Sequence, residues 1–357
     1  MVYTFHGPGA NEAWMKAALV FNENKSVSRQ KSRGGVTNEL LHAAFTIESP
    51  LNRWVVSRFP AMNPAFSIIE TIWVINGRND AGFLNKWNKQ LPKYAGRCQT
   101  YHGAYGHRLR HLIGLDQLSR AYEVLRLNPD SRQVVLQIWN PGQDLPNSDG
   151  SPIAEDIPCN IASMLKVRDK KLEWTQVVRS NDMFLGVPHD FVLFTTLQEV
   201  IAGWLDIEIG SYNHFSDSLH VYLPDLKHIL KARDMVSAEN TDSLALPKIQ
   251  SEKIWFELAN RAVALVSDNL TKSDIQKQLR LNAPIGYLNL LRLICAEAAR
   301  KRKWNEFVTE IISDLSNPVL RQLWFQWLER ISGRKKMSDV RLCDSKTTFN
   351  TPISKSH

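Results

Sequence analysis

Pro158-Cys159-Asn160, followed twenty residues on by Arg179-Ser180-Asn181-Asp182-Met183-Phe184-Leu185-Gly186-Val187-Pro188-His189-Asp190, is the stretch on which the reading of this chain turns. A cysteine directly after a proline can sit on a turn with its sulfur accessible, and nearby arginines favour the thiolate, its nucleophilic form. Arg179, Ser180 and Asp182 bring a guanidinium fork, a hydroxyl and a carboxylate close together. The fork suits a phosphate because it makes two parallel charge-assisted hydrogen bonds. An isolated cysteine is more often a small buried hydrophobe, so Cys159 gains weight only from these neighbours. On residue chemistry alone the stretch describes a nucleophile beside an anion site and names no reaction.

Outward from it, residues 161–167 and 172–179 read as strands joined by the tight turn Arg168-Asp169-Lys170-Lys171, and residues 191–204 as a mostly apolar helix. Residues 132–139 are rich in β-branched and aromatic side chains and read as a strand. Residues 141–158, with Gly, Pro, Asn and Asp at turn positions, read as a loop that delivers Cys159 to the next strand. Helical spacing marks residues 11–22, and a long apolar helix over 64–76 ends at Gly77. A polar, basic loop passes through Ser32-Arg33-Gly34-Gly35, and residues 40–47 and 214–223 complete the strands. Strands interspersed with long buried helices give an α+β architecture. After Pro224 the pattern becomes helical, over 254–266, 285–299 and 304–331. The expected organisation is a catalytic domain over 1–235, a helical region over 250–332 and a disordered basic and polar tail over 333–357.

The chain has 357 residues, 43% hydrophobic and 22% charged, as in an ordinary soluble globular protein. No apolar run approaches the roughly 20 residues of a membrane helix. The N-terminal residues lack a signal-peptide pattern. Cys98, Cys159, Cys295 and Cys343 show neither zinc spacing nor disulfide-scaffold density, so a reduced, cytoplasmic protein without a metal is expected. The net charge of +8 is partly gathered in Arg300-Lys301-Arg302-Lys303 and Gly333-Arg334-Lys335-Lys336, and no recognised nucleic-acid-binding module accompanies those runs.

Over residues 11–222 the chain resembles the thymidylate synthase superfamily, with several motifs in the same order. Ser32-Arg33-Gly34-Gly35-Val36-Thr37 resembles the phosphate-binding loop, which implies Arg33 on the nucleotide phosphate. Glu70-Thr71-Ile72-Trp73-Val74-Ile75-Asn76-Gly77 is similar to the helix whose glutamate organises catalytic water and proton transfers, and it brings Trp73 to the folate side. Tyr101-His102-Gly103-Ala104-Tyr105-Gly106-His107-Arg108-Leu109-Arg110 matches the segment whose tyrosine, here Tyr105, assists proton removal from C5. Ser131-Arg132-Gln133 resembles the segment that reaches the partner's phosphate across a homodimer, with Gln133 where a second arginine is usual. By the same matching Arg179 and Ser180 join the phosphate site, and His220 and Tyr222 hold the sugar hydroxyl. Asp182, with Leu185 and Gly186, lies against the folate pterin.

Asp190 stands where the family places asparagine when the base is uracil, and Asn160 replaces the histidine after the cysteine. An asparagine amide complements the N3–H donor and O4 acceptor of uracil. Cytosine reverses that edge, so a protonated Asp190, or an ionised one facing N3-protonated cytosine, is the complement. A buried acceptor–acceptor mismatch costs on the order of 1–3 kcal/mol. The resemblance thus points to the cytidylate hydroxymethylases. It implies attack of Cys159 on C6 of CMP or dCMP, one-carbon transfer from 5,10-methylenetetrahydrofolate to C5, and addition of water activated by Glu70. An enzyme acting on uracil and a non-catalytic nucleotide-binding protein are the alternatives. The sequence leaves ribose against deoxyribose open. The short apolar tail that closes over folate in thymidylate synthases has no match, and a helical region is expected in its place.

Overall fold

The computed structural model describes residues 2–23, 27–32 and 34–344. Its elements begin with β1 (Tyr3–Gly7), α1 (Ala10–Glu23), β2 (Ser28–Ser32), β3 (Gly35–Ile47), α2 (Pro64–Ile75), α3 (Ala81–Trp87), α4 (Pro92–Ala95), α5 (Tyr105–Arg110) and α6 (Gln117–Leu127). Then follow β4 (Val135–Gln137), α7 (Pro141–Asp144), β5 (Asn160–Arg168), β6 (Lys171–Asp182), α8 (Val187–Leu205), β7 (Glu208–Tyr222) and α9 (Leu223–Ile229). The chain closes with α10 (Lys248–Ala264), α11 (Lys272–Leu279), α12 (Ile285–Lys301), α13 (Asn305–Ser313) and α14 (Pro318–Asp344). Among the described residues no helix is long and apolar enough to cross a membrane.

The strands form one mixed sheet in the order β1-β3-β7-β6-β5-β4, with β2 paired to β3. β6 and β7 run parallel, while β3 with β7 and β5 with β6 are antiparallel. The β5–β6 hairpin closes through Asp169 and Lys170, at φ 49° and 58°, the left-handed pair that matches the twist of the flanking strands. In β3 and β7 the alternation of buried and exposed residues changes phase at one place. Residues 210–216 are buried at even numbers, yet Leu219 and Val221 are the buried ones beyond. Opposite them the phase changes at His42, whose φ of 61° leaves the strand conformation and whose Nδ1 lies 3.0 Å from Asp217. A kink of this kind re-aims the side chains beyond it. Here it turns His220 and Tyr222 away from the face that carries His214 and Ser216.

α8 is buried almost all round, as a helix apolar on every side must be, and it packs against β6, β7 and α2. The start of α2 is fixed by Asn63, whose Oδ1 accepts from Phe66 N at 3.2 Å, with Pro64 in the first turn. Gly77, at φ 66°, ends it. Helices α10, α12 and α14 also pack on α2 and continue the same buried core.

Several local expectations are corrected. The basic loop before β3 includes a strand, β2, paired residue for residue with β3. The strand expected over 132–139 is only three residues long, because it pairs on one side alone, with β5. The loop after it opens with the short turn α7, where Asp144 accepts both terminal nitrogens of Arg108, at 2.7 and 2.9 Å. The single helix expected over 304–331 is two, because Asn317 caps a new helix at Pro318, its Oδ1 accepting from Val319 N at 3.1 Å. α14 then runs through Asp344, past Gly333 where a disordered tail is expected. The Lys, Arg, Met and Leu residues there are good helix formers. Residues 345–357 lie outside the described residues.

Candidate active site

Cys159 sits at the entry to β5. Arg179 N donates to its carbonyl at 2.9 Å, which fixes it beside β6. The Arg179 side chain turns back on the same segment. Its Nε donates to Pro158 O at 3.0 Å and its Nη2 to Ile157 O at 3.3 Å, with the guanidinium 5.2 Å from the Trp139 ring centroid. Arg179 therefore clamps the turn that presents the cysteine. Burial pushes the thiol up to about 11; Arg179 opposes this and is outweighed, while Asp190, Asp156 and Asp182 add to the rise. Arg179 thus favours the thiolate, as the sequence leads one to expect, and burial works against it.

Asp190 lies in the first turn of α8 rather than ahead of it, with its side chain in a polar cluster. Asn160 Nδ2 donates to its Oδ1 at 3.3 Å, and Asn181 Nδ2 donates to its Oδ2 at 3.0 Å. Behind Asn160 stands Gln176, whose Nε2 donates to Asn160 Oδ1 at 2.9 Å and whose Oε1 accepts from Ser163 Oγ at 2.6 Å and Trp174 Nε1 at 3.2 Å. Beyond Asn181 stands His214, its Nε2 at 2.9 Å from Asn181 Nδ2 and its Nδ1 at 2.9 Å from the Tyr212 hydroxyl. With Asn181 as the donor, His214 Nε2 accepts and Nδ1 carries the proton. Burial pushes His214 down to about 3 and so keeps it neutral. No cation bonds Asp190 among the described residues. Burial pushes its carboxyl up to about 7, against the downward pull of the two amides.

Glu70, on α2, faces the same space. Burial and then the charge of Asp190 push its carboxyl up to about 8. His189 Nδ1 lies 3.7 Å from Glu70 Oε2 and 2.9 Å from Ser67 Oγ, and burial, with Arg58 and Arg330, pushes this histidine down to about 3. Tyr105, at the start of α5, lies near Asn160, and burial raises its phenol well above the ordinary value. Cys159 with Asn160, Asp190, Glu70 and Tyr105 thus lie near one another, from four separate segments of chain.

A second group borders it. Asp182 Oδ1 accepts from Phe184 N at 2.8 Å and Leu185 N at 2.9 Å, closing the turn before α8. Gly186 is needed there, since a Cβ would come within 2.6 Å of Asn181 Oδ1. Arg58 holds the turn from outside, its Nε donating to Phe184 O at 2.7 Å and its guanidinium 3.9 Å from the centre of that ring. β7 sets His220 beside Asp182, and its ring meets that of Tyr222 edge-on at 5.3 Å. Burial raises Asp182 and lowers His220, outweighing their mutual attraction.

Not every expected residue joins the cluster. Ser180 is half-buried on β6, beside Ser218 of β7. Arg132 and Gln133 are exposed ahead of β4, and no side-chain hydrogen bond ties either to the cluster among the described residues. Trp73 is 4% exposed, with its indole N–H donating to Asp80 O at 3.2 Å, so its ring serves the core. Arg33 lies outside the described residues. Missed by the sequence reading were Gln176, Asn181, His214, Tyr212, His189 and Arg58. The available signal was polar residues at core positions, such as Gln176 in a strand of alternating apolar residues and His214 two residues from Tyr212.

The family model for thymidylate synthase matches residues 40–271, more than half of the chain. The chain is 33% identical over 236 residues to a deoxyuridylate hydroxymethyltransferase of Bacillus phage SP01, covering 63% of this chain and 60% of that protein. It is 32% identical over 190 residues to the deoxyuridylate hydroxymethyltransferase of Pseudomonas phage M6, with 51% and 53% covered. It is 26% identical over 208 residues to a thymidylate synthase of Francisella philomiragia, with 53% and 71% covered. The chain spans little more than half the length of the two phage proteins. A cysteine clamped at a strand entry, a carboxyl beside it and a match over the whole of that region carry one conclusion: the chain belongs to the thymidylate synthase family.

Proposed function

We propose that this chain transfers the one-carbon unit of 5,10-methylenetetrahydrofolate to C5 of a cytidine monophosphate and hydrates it to a 5-hydroxymethyl product. The observation that carries this reading is Asp190, a buried carboxyl held between two amide donors and, among the described residues, bonded by no cation. Cytosine offers it an N4–H donor, and N3 as either an acceptor or, once protonated, a second donor. A proton at N3 draws electrons from C6, which favours addition of the Cys159 sulfur there. The thiol passes its proton to the Asp190 carboxylate, and so toward N3, as the S–C6 bond forms, because burial disfavours a free thiolate beforehand.

In this reading Arg179 keeps the thiol in place and Ser180 takes part in the phosphate site. His220 and Tyr222 hold the sugar hydroxyl, and Tyr105, near Asn160, directs its hydroxyl to the C5 proton. A phenol raised by burial acts through hydrogen bonding rather than by ionising. Glu70, near neutrality in its proton affinity, can both give and take a proton, as hydration at C5 requires. The folate supplies the carbon at the formaldehyde oxidation level. The donors at Asp182 both go to Oδ1, and its Oδ2 is the acceptor assigned to the pterin, with Leu185 and Gly186 lining the turn. α14 approaches from the side, Gln326 Nε2 donating to Val56 O at 3.1 Å and Arg330 to Ala61 O. Residues 250–332 on this view stand in for the closing tail. Arg132, with Gln133 beside it, would complete the phosphate site of a second copy in a homodimer, and Arg33 would join the same phosphate.

The names of the two phage relatives favour a second reading, hydroxymethylation of dUMP. A protonated Asp190 with its hydrogen on the oxygen facing O4 would serve uracil. The deciding experiment is tritium release from C5-labelled CMP, dCMP and dUMP with methylenetetrahydrofolate, with products identified by mass. Release from a cytidylate with a hydroxymethyl product is expected. Release from dUMP alone supports the second reading, and no folate-dependent release from any of them means a nucleotide-binding protein without this chemistry.

A further inference from the structure

Gln176 is fully buried on β6, where an apolar side chain is the ordinary choice. One of its polar neighbours fixes the orientation of this amide. The indole N–H of Trp174 can only donate, so Gln176 must turn Oε1 toward it and its NH₂ toward Asn160. Asn160 then receives on its own oxygen and must offer its NH₂ to Asp190 Oδ1. On the other side Asn181 offers its NH₂ to Asp190 Oδ2. A carboxyl hydrogen cannot lie between an oxygen and an N–H that already donates to it. The Asp190 hydrogen, when present, is therefore turned away from both amides.

We propose that Gln176 is a positioning residue for base recognition: by locking Asn160 as a donor, it directs the exchangeable hydrogen of Asp190 toward the substrate edge. The inference rests on the reading of Asp190 given above and extends it to a residue that touches no substrate. Other titratable groups face Asp190 as well: Glu70 from α2, Tyr105 from α5, Cys159 before β5, and Tyr212 of β7, with His214 behind Asn181. None of them fixes the orientation of the Asn160 amide through a donor-only partner.

Gln176→Glu keeps the shape and reverses the relay. Its carboxylate accepts from Trp174, Ser163 and Asn160, so Asn160 must turn its oxygen to Asp190 and draw the hydrogen out of the cleft. Gln176→Met removes the relay and leaves Asn160 free to turn. The measurements are kcat/KM for cytidylate and dUMP from pH 5.5 to 9, and nucleotide Kd by calorimetry over the same range. Wild type, both Gln176 variants and Asp190→Asn are compared.

The expected result is a kcat/KM for cytidylate lowered about tenfold in Gln176→Glu and less in Gln176→Met, as for one lost polar contact. The pH midpoint of binding should rise by about one unit in Gln176→Glu as the Asp190 proton gains an acceptor. If Gln176→Glu does not fold, the kcat/KM and midpoint of Gln176→Met decide. Folded variants with the wild-type kcat/KM and pH profile overturn the role of Gln176, provided Asp190→Asn changes the ratio. If Asp190→Asn leaves the ratio unchanged as well, the reading of Asp190 itself is wrong.

Discussion

α8 carries two buried carboxyls nine residues apart, and they are treated in opposite ways. Glu199 is 1% exposed and meets a full positive charge, Arg53 Nη2 at 2.5 Å, with Leu244 N donating to its second oxygen at 2.6 Å. Asp190 is 9% exposed, and among the described residues its hydrogen-bond partners are neutral amides. A buried charge needs a partner or gives up its ionisation. Glu199 takes the first course and ties α8 both to the segment before α2 and to the chain leading into the C-terminal helices. Asp190 takes the second, and burial leaves its carboxyl near neutrality at the edge of a cleft. Perturbed groups in clefts are where function concentrates. One helix thus holds a carboxyl paired with an arginine and one held by amides.

Removing that arginine should have the largest effect. Arg53→Met strands Glu199 without its cation and should cost about 3–5 kcal/mol in urea unfolding. Adding Glu199→Gln should recover part of the loss. Equal loss in the single and double variants would mean that packing, not charge, makes the tie.

Asp190 should behave in the reverse sense. Its folded-state pKa, about 7, lies above the roughly 3.9 of an unfolded aspartate, so the stability it contributes is full at low pH and is lost as pH rises through 7. Glu70 shifts in the same direction, while His189 and His214 are held neutral and lose stability as pH falls. The difference between wild type and Asp190→Asn isolates the aspartate. From pH 5 to pH 8 wild type should lose about 2–3 kcal/mol relative to the variant. A pH-independent difference would place an unseen positive charge beside Asp190.

The smallest effect is on the thiol. Because burial holds Cys159 up at about 11, its alkylation by iodoacetamide at pH 7.5 should run about tenfold slower than that of a free cysteine and keep rising past pH 9. Asp190→Asn removes part of the negative field and should speed it severalfold. Mass mapping separates Cys159 from exposed Cys98 and buried Cys295. Fast alkylation with a plateau near pH 7 would restore the thiolate that the sequence suggests.

Cys159, Glu70, Tyr105 and Asp190 were legible in the chain because each sits in a short motif of fixed spacing, and the structure brings them into one cleft. The long helices α2 and α8 were legible from unbroken apolar runs. What local pattern could not supply was pairing across strands. Gln176 and Asn160 are sixteen residues apart and meet only through the β5–β6 register, and Asn181 reaches His214 only because β6 and β7 run side by side. Nor could it supply the kink at His42, which decides which face His220 and Tyr222 present. Arginine beside a cysteine suggested a thiolate in sequence, whereas in space Arg179 spends its donors on the backbone before Cys159.

The central claim is that the Asp190 carboxyl chooses the base, and it is tested most directly by kcat/KM for cytidylate and dUMP in wild type and Asp190→Asn. The account predicts that wild type prefers cytidylate and that the substitution swings the ratio toward dUMP by about a hundredfold or more. A wild-type preference for dUMP that survives the substitution would contradict it.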